Sequence, residues 1–202
     1  MNVKKLTACA LFIALATILS LIKIYRFPFG GDITALSMLE IVLPAWIYGV
    51  KTGAMCGLIF GGIQFVLGAY IISVPQVILD YVLAFSVMGV AGVFSNQRSG
   101  AAHLSEADFD GGAAPSRVSA FFGRHSLQLG YSLAIILRWI IATAAGLAWI
   151  AAGSTAWSGW APLPYSMAYT GAYISTEGIL TLIVISMPPM KKVLAYIKQQ
   201  AL

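Results

Sequence analysis

The sequence predicts an all-α, polytopic membrane protein with six transmembrane helices and both termini in the cytoplasm. Three observations carry this reading. Of 202 residues, 59% are hydrophobic and 9% are charged, against roughly 25% charged in an ordinary soluble domain. The mean hydropathy is +0.86. The net charge of +5 sits between apolar runs rather than on one face, the arrangement that topology requires and nucleic-acid binding does not.

A bilayer core takes about 20 apolar residues per helix, and on that scale residues 1–202 form a single integral membrane domain. Helix one, at 5–23, follows Lys4 and Lys5; it has no small-residue cleavage site before Lys23 and is long for a signal peptide, so it is expected to be retained. It carries Ala10 and Ala14 four residues apart. Helix two, at 33–50, contains Glu40, and helix three, at 52–71, carries Gly53, Gly57 and Gly61 on one stripe. Small residues at this spacing let helices approach closely. For helix three we read internal packing, and for helix one a surface for another protein.

A tight turn, "GAYIISVP", leads to helix four at 74–95, which holds Asp80. A polar loop at 96–126, rich in Gly, Ala and Ser, contains His103 and His125; with no partner spacing these read as solvated histidines rather than metal ligands. Helix five spans 127–152 with Arg138, and helix six spans 165–189 with Glu177. Cys9 and Cys56 both lie in apolar segments and read as packed thiols.

Lys and Arg set the orientation. Lys4, Lys5, Lys51, Arg98, Arg117, Arg124, Lys191, Lys192 and Lys198 fall on one side, and Lys23 and Arg26 on the other. The positive-inside rule puts the termini and the 96–126 loop in the cytoplasm, with Trp157 and Trp160 in an uncharged external loop.

Depth then sorts the intramembrane charges. Arg138 and Glu177 come out about 17–18 Å deep at ~1.5 Å per residue, where a structural ion pair is expected. Glu40 and Asp80 lie only about 10 Å below the outer surface. Ionisable groups inside a membrane face a cavity or a partner. Two acids near Tyr70, Tyr81 and the external tryptophans suit a cationic, aromatic ligand, which carboxylates attract by charge and ring faces by stacking and cation–π contact. Lys23 or Arg26 can reach over such a site. The competing reading has Asp80 capping a helix broken near Pro75, or protonated.

Several chemistries are excluded. "GVKTG" is not a phosphate-binding loop, and HExxH, Gly-x-Ser-x-Gly and paired Cys-x-x-Cys motifs are missing. No enzyme activity, metal or cofactor is expected, and any ATP-driven step requires a partner.

Taken together, the alanine stripe on a basic-started first helix, "GGDITALSML", "YGVKTGAMCGLIFG" and "PQVILDYVLAF" resemble the substrate-binding S components of energy-coupling factor (ECF) transporters, most closely the thiamine-specific type. The likeness covers 5–95 and returns in 131–187. It implies a vitamin pocket near the outer face, closed by the loop between helices one and two. It also implies docking through Ala10 and Ala14 onto a membrane coupling subunit that carries two ATPases. Tyr70, Asp80, Tyr81, Gly146 and Tyr165 match ligand-binding positions, although the acid is often glutamate.

Three positions depart from the family pattern. Ala142 stands where histidine is common, Thr170 where asparagine is common, and Glu40 where proline is usual. The resemblance thus implies thiamine, with its aminopyrimidine precursor or another cationic heterocycle as competitors. A reading from another class is a stand-alone proton-coupled carrier relaying through Asp80 and Glu177. It lacks the internal repeat common in secondary transporters. An intramembrane aspartyl protease would need a second motif aspartate, which "LDY" lacks.

Overall fold

A computed structural model describes residues 3–28, 30–68, 71–95, 125–152 and 159–201. The expected Tyr70, Trp157 and His103, and almost all of the 96–126 loop with its three arginines, lie outside these residues.

Helix α1 runs Val3–Leu21 and buries one stripe, Cys9, Ile13, Ala16 and Ser20, leaving Leu6, Leu11, Leu15, Ile18 and Leu21 exposed. Thr7 and Thr17 donate their hydroxyls to the carbonyls of Val3 and Ile13, which satisfies the polar groups of a helix bathed in hydrocarbon. An element absent from the all-α expectation follows. Strand β1, Lys23–Arg26, pairs antiparallel with β2, Asp32–Thr34. Asp32 binds Lys23 and Arg26 across the pair, so the two basic residues secure the hairpin itself. Gly30 and Gly31, with φ of 89° and 86°, close its turn.

Because β2 and the following turn take residues 32–36, helix α2 begins at Ser37 rather than 33, and ends at Tyr48. Its 12 residues rise about 18 Å at ~1.5 Å each, short of the ~30 Å hydrocarbon core. Length matters little here, since ten of the twelve are buried by neighbouring helices rather than matched to lipid. Gly49, φ 88°, ends α2 by donating its N–H to the Ala45 carbonyl at 2.8 Å, and α3 starts at once, Val50–Gly68.

The glycine stripe of α3 packs internally. A Cβ on Gly53 would sit 2.2 Å from the Ala45 Cβ, one on Gly57 2.1 Å from the Phe85 carbonyl oxygen, and one on Gly61 1.9 Å from that of Tyr81. Helix α3 therefore lies directly against α2 and against α4, Val74–Phe94. Helix α4 is irregular: capped by Ser73, it widens into a π turn over Ile78–Leu83 and tightens to a 3₁₀ winding over Val87–Phe94.

Helices α5, Ser126–Ala151, and α6, Pro162–Ser186, pack along each other. The expected sixth span to 189 ends three residues earlier. Met187 turns extended (ψ 137°), and Pro188 and Pro189 start a separate helix α7, Pro188–Ala201. Proline is well placed there because the first turn of a helix has no use for its missing N–H. Helix α7 folds back over the bundle end opposite the hairpin: Leu194 is buried, and Lys198 Nζ sits 4.3 Å over the Trp46 ring.

Among the described residues, five helices, α1, α3, α4, α5 and α6, are long and apolar enough to cross a membrane. Their outward surfaces carry residues such as Leu11, Val66, Ile140 and Ile179. So much exposed apolar surface marks a lipid-facing exterior. The chain is a multi-pass membrane protein.

Candidate ligand-binding site

Where the hairpin meets α4, α5 and α6, they enclose a cavity of about 620 Å³ including its open mouth. Six residues singled out from sequence line it together: Asp80 and Tyr81 from α4, Ala142 and Gly146 from α5, and Tyr165 and Thr170 from α6. A second, more polar cavity shares the wall formed by Gly30, Gly31, Asp80, Tyr81 and Tyr173, and adds Lys23, Gln64, Arg138 and Glu177. Glu40, half-buried on the first turn of α2, lines neither. The acids that share a cavity with Asp80 are Asp32 and Glu177.

Asp80 occupies the π turn of α4, a local widening that often marks functional sites. Gln76, one turn earlier, donates Nε2–H to Asp80 Oδ2 at 2.9 Å, while its own carbonyl accepts the Ile72 N–H at 3.3 Å. The helix is capped by Ser73, whose Oγ accepts the Gln76 N–H. Asp80 is thus not the cap; its carboxylate is held at the cavity wall by a neutral amide.

The α5–α6 wall is built on one close contact. A Cβ on Gly146 would lie 2.2 Å from Ser166 Oγ, so an added methyl would displace the Ser166 hydroxyl or part the helices. Ser166 donates to the Thr143 carbonyl at 2.8 Å, and Thr170 donates to the Ser166 carbonyl at 2.8 Å while meeting Thr143 Oγ1 at 3.1 Å. The Thr170 hydroxyl is therefore engaged by the protein. Ala142 lines the same wall, and neither position carries the histidine or asparagine that the resemblance implies.

Aromatic surface dominates the rest. Tyr165, Tyr169 and Tyr173 recur every fourth residue on one face of α6; the first two stack with centroids 5.9 Å apart, and the next pair meets edge-on at 6.2 Å. Trp149 completes the lining. The hairpin tip covers this wall. Tyr169 donates its hydroxyl to the Gly30 carbonyl at 2.8 Å, and the Phe27 ring lies 5.7 Å from Tyr169 and 5.9 Å from Tyr173. At Gly31, where φ is positive, a Cβ would strike the Tyr173 ring at 2.7 Å.

The Arg138–Glu177 ion pair expected from depth is not formed. The Arg138 guanidinium lies 4.2 Å over the Phe85 ring, and its Nε and Nη1 are buried with no hydrogen-bond partner among the described residues. Glu177 is held instead by hydroxyl and backbone donors of Thr34, Ser37 and Met38. Both residues line the second cavity, but a depth count cannot see the hairpin that supplies competing donors.

Sequence reasoning missed Gln76, Trp149, Tyr169, Tyr173 and the Gly30–Gly31 turn. The signal for the tyrosines was present in "YSMAYTGAY", where the four-residue repeat is legible. Gln76 precedes Asp80 by one helical turn, the spacing at which side chains meet.

Geometry of this kind, an aromatic cavity with one oriented carboxylate under a backbone lid in a multi-pass bundle, defines a membrane protein that captures a small ligand. The family model described as Thiamine transporter protein (Thia_YuaJ) matches residues 6–197, and the chain belongs to that family. It is 29% identical over 185 residues to the thiamine transporter ThiT of Bacillus subtilis (strain 168), covering 90% of this chain and 88% of that one. Its fold is similar to the solved structure of ThiT from Listeria monocytogenes, with a TM-score of 0.67 and 26% identity over 92% of this chain and 94% of that one.

Proposed function

We propose that the chain is the substrate-binding S component of an ECF-type importer, taking up thiamine or a closely related cationic heterocycle. The observation that carries the reading is Asp80, fixed by Gln76 at the edge of a tyrosine-lined cavity beneath the hairpin. A cationic ring stacked on the tyrosines places its charge or its amino group toward the carboxylate, a charge-assisted contact in a site shielded from water. Family membership supports thiamine as the ligand. The wall at Ala142 and Thr170 favours weaker polar contact than the family pattern provides, which keeps the aminopyrimidine precursor as the competing ligand.

In this reading the bundle crosses the membrane six times, α2 included, with both termini in the cytoplasm and the hairpin outside. ATP hydrolysis comes from two ATPase subunits joined through a membrane coupling subunit. Ala10 and Ala14 are both exposed. They border an apolar groove between α1 and α3 that also includes Leu6, Met55 and Ile59, a surface suited to close packing by a partner's helix. The proton-carrier alternative needs Glu177 to exchange protons freely, and its engagement by four donors opposes that. Two experiments test the proposal: calorimetry of the purified protein with thiamine and with the aminopyrimidine, and co-purification with ATPase subunits. Ligand uptake by the protein alone in liposomes would favour the carrier.

A further inference from the structure

The four-residue repeat of α6 does not stop at the tyrosines: Tyr165, Tyr169 and Tyr173 are followed by Glu177 on the same face. Tyr169 and Tyr173 hold the tip of the hairpin. Glu177 holds its base. Only 1% of its surface is exposed. Its Oε1 accepts the Thr34 hydroxyl at 2.7 Å, the Ser37 hydroxyl at 3.3 Å and the Met38 N–H at 3.4 Å, and its Oε2 accepts the Thr34 N–H at 3.2 Å.

Those donors belong to the end of β2 and the first turn of α2. The residue at the α2 N-cap position, Leu36, has no polar side chain and no capping bond, and it adopts φ 66°. A left-handed leucine is a strained backbone that persists only where its surroundings over-determine it. The acceptor that the first turn of α2 lacks locally comes from Glu177 on α6.

We infer that Glu177 is a positioning residue that anchors the hinge of the hairpin lid. The inference rests on the proposed reading of the cavity as a ligand site. Fixed at its base, the hairpin opens and closes by moving Phe27, Gly30 and Gly31 against Tyr169 and Tyr173. Without the carboxylate, Thr34 and the start of α2 lose their common acceptor, the Leu36 turn relaxes, and the tip loses register with the tyrosines. The ligand's direct contacts are untouched, so the effect falls on escape from the cavity rather than entry.

Spin labels at Ile24→Cys on β1 and Leu163→Cys on α6, positions 62% and 51% exposed, report the lid directly by pulsed electron resonance once Cys9 and Cys56 are replaced by alanine. In the ligand-free protein, Glu177→Ala is expected to broaden and lengthen the label distance. With thiamine it raises the off-rate about tenfold while the on-rate stays nearly constant. Glu177→Gln, which keeps an acceptor at Oε1, restores a distribution near wild type. If Glu177→Ala does not fold, Thr34→Val with Ser37→Ala removes donors from the opposite side and is expected to loosen the lid in the same way. A lower melting temperature with label distance and off-rate both unchanged would overturn the inference, since it would make Glu177 a packing residue only. If thiamine fails to bind wild type, the functional reading falls while the label distances still decide the hinge.

Discussion

Asp80 and its partner Gln76 show how one helical turn can prepare a charge for a ligand. Because the amide donates to Oδ2, the carboxylate is oriented without being neutralised by a cation. Loss of the charge in Asp80→Asn is expected to cost on the order of 1.5–3 kcal/mol, the range for hydrogen bonds to charged groups. Gln76→Ala, which leaves the charge but frees its orientation, should cost about 0.5–1.5 kcal/mol, or roughly twofold to tenfold in affinity. Glu40→Gln should leave affinity unchanged in the same titration, because Glu40 lines neither cavity. Asp80 was legible in the sequence because a lone acid in an apolar run has few explanations. Glu40 looked equivalent by depth alone, and depth does not record which way a helix face points.

At the scale of elements, glycine sets how closely helices meet, and the meeting shapes the cavity. Gly57 places α3 where a Cβ would hit the Phe85 carbonyl oxygen at 2.1 Å, a backbone atom that cannot rotate aside. Gly57→Ala is expected to destabilise the protein by about 1–3 kcal/mol, the usual cost of overpacking, measured as a lowered thermal midpoint in detergent. Gly146→Ala meets the Ser166 side chain at 2.2 Å and should weaken ligand binding as well, because it moves a cavity wall. The long helices were readable because lipid demands about 20 apolar residues per crossing. The hairpin was not: strands of four and three residues carry too little periodicity to register. Its stability comes from Asp32 paired with two cations inside the hairpin and from two tertiary contacts, Tyr169 with Gly30 and Glu177 with Thr34. Helix α7 was hidden for a different reason. Its residues beyond 189 are too polar to extend the apolar span of α6, and the proline pair reads as a stop rather than a restart.

At the scale of the whole molecule, the proposed function divides between two surfaces. In that reading the hairpin end of the bundle would hold the ligand, and the α1–α3 groove would meet the partner. Ala10→Trp or Ala14→Trp should therefore abolish co-purification with the coupling and ATPase subunits while leaving ligand affinity in the isolated protein intact. Equal loss of both would mean that the stripe is needed for internal packing. The sequence carried the alanine stripe and six cavity residues, and the resemblance implied a closing loop between helices one and two; the two-stranded form of that loop was not legible, since it depends on contacts between distant parts of the chain.

The central claim is that Asp80 meets a cationic heterocycle on a tyrosine wall, and isothermal calorimetry of wild type and Asp80→Asn with thiamine tests it most directly. The account predicts saturable binding to wild type and a loss of roughly tenfold to more than a hundredfold in the variant. Equal affinity of the two proteins for thiamine, or no binding to wild type at all, would contradict it.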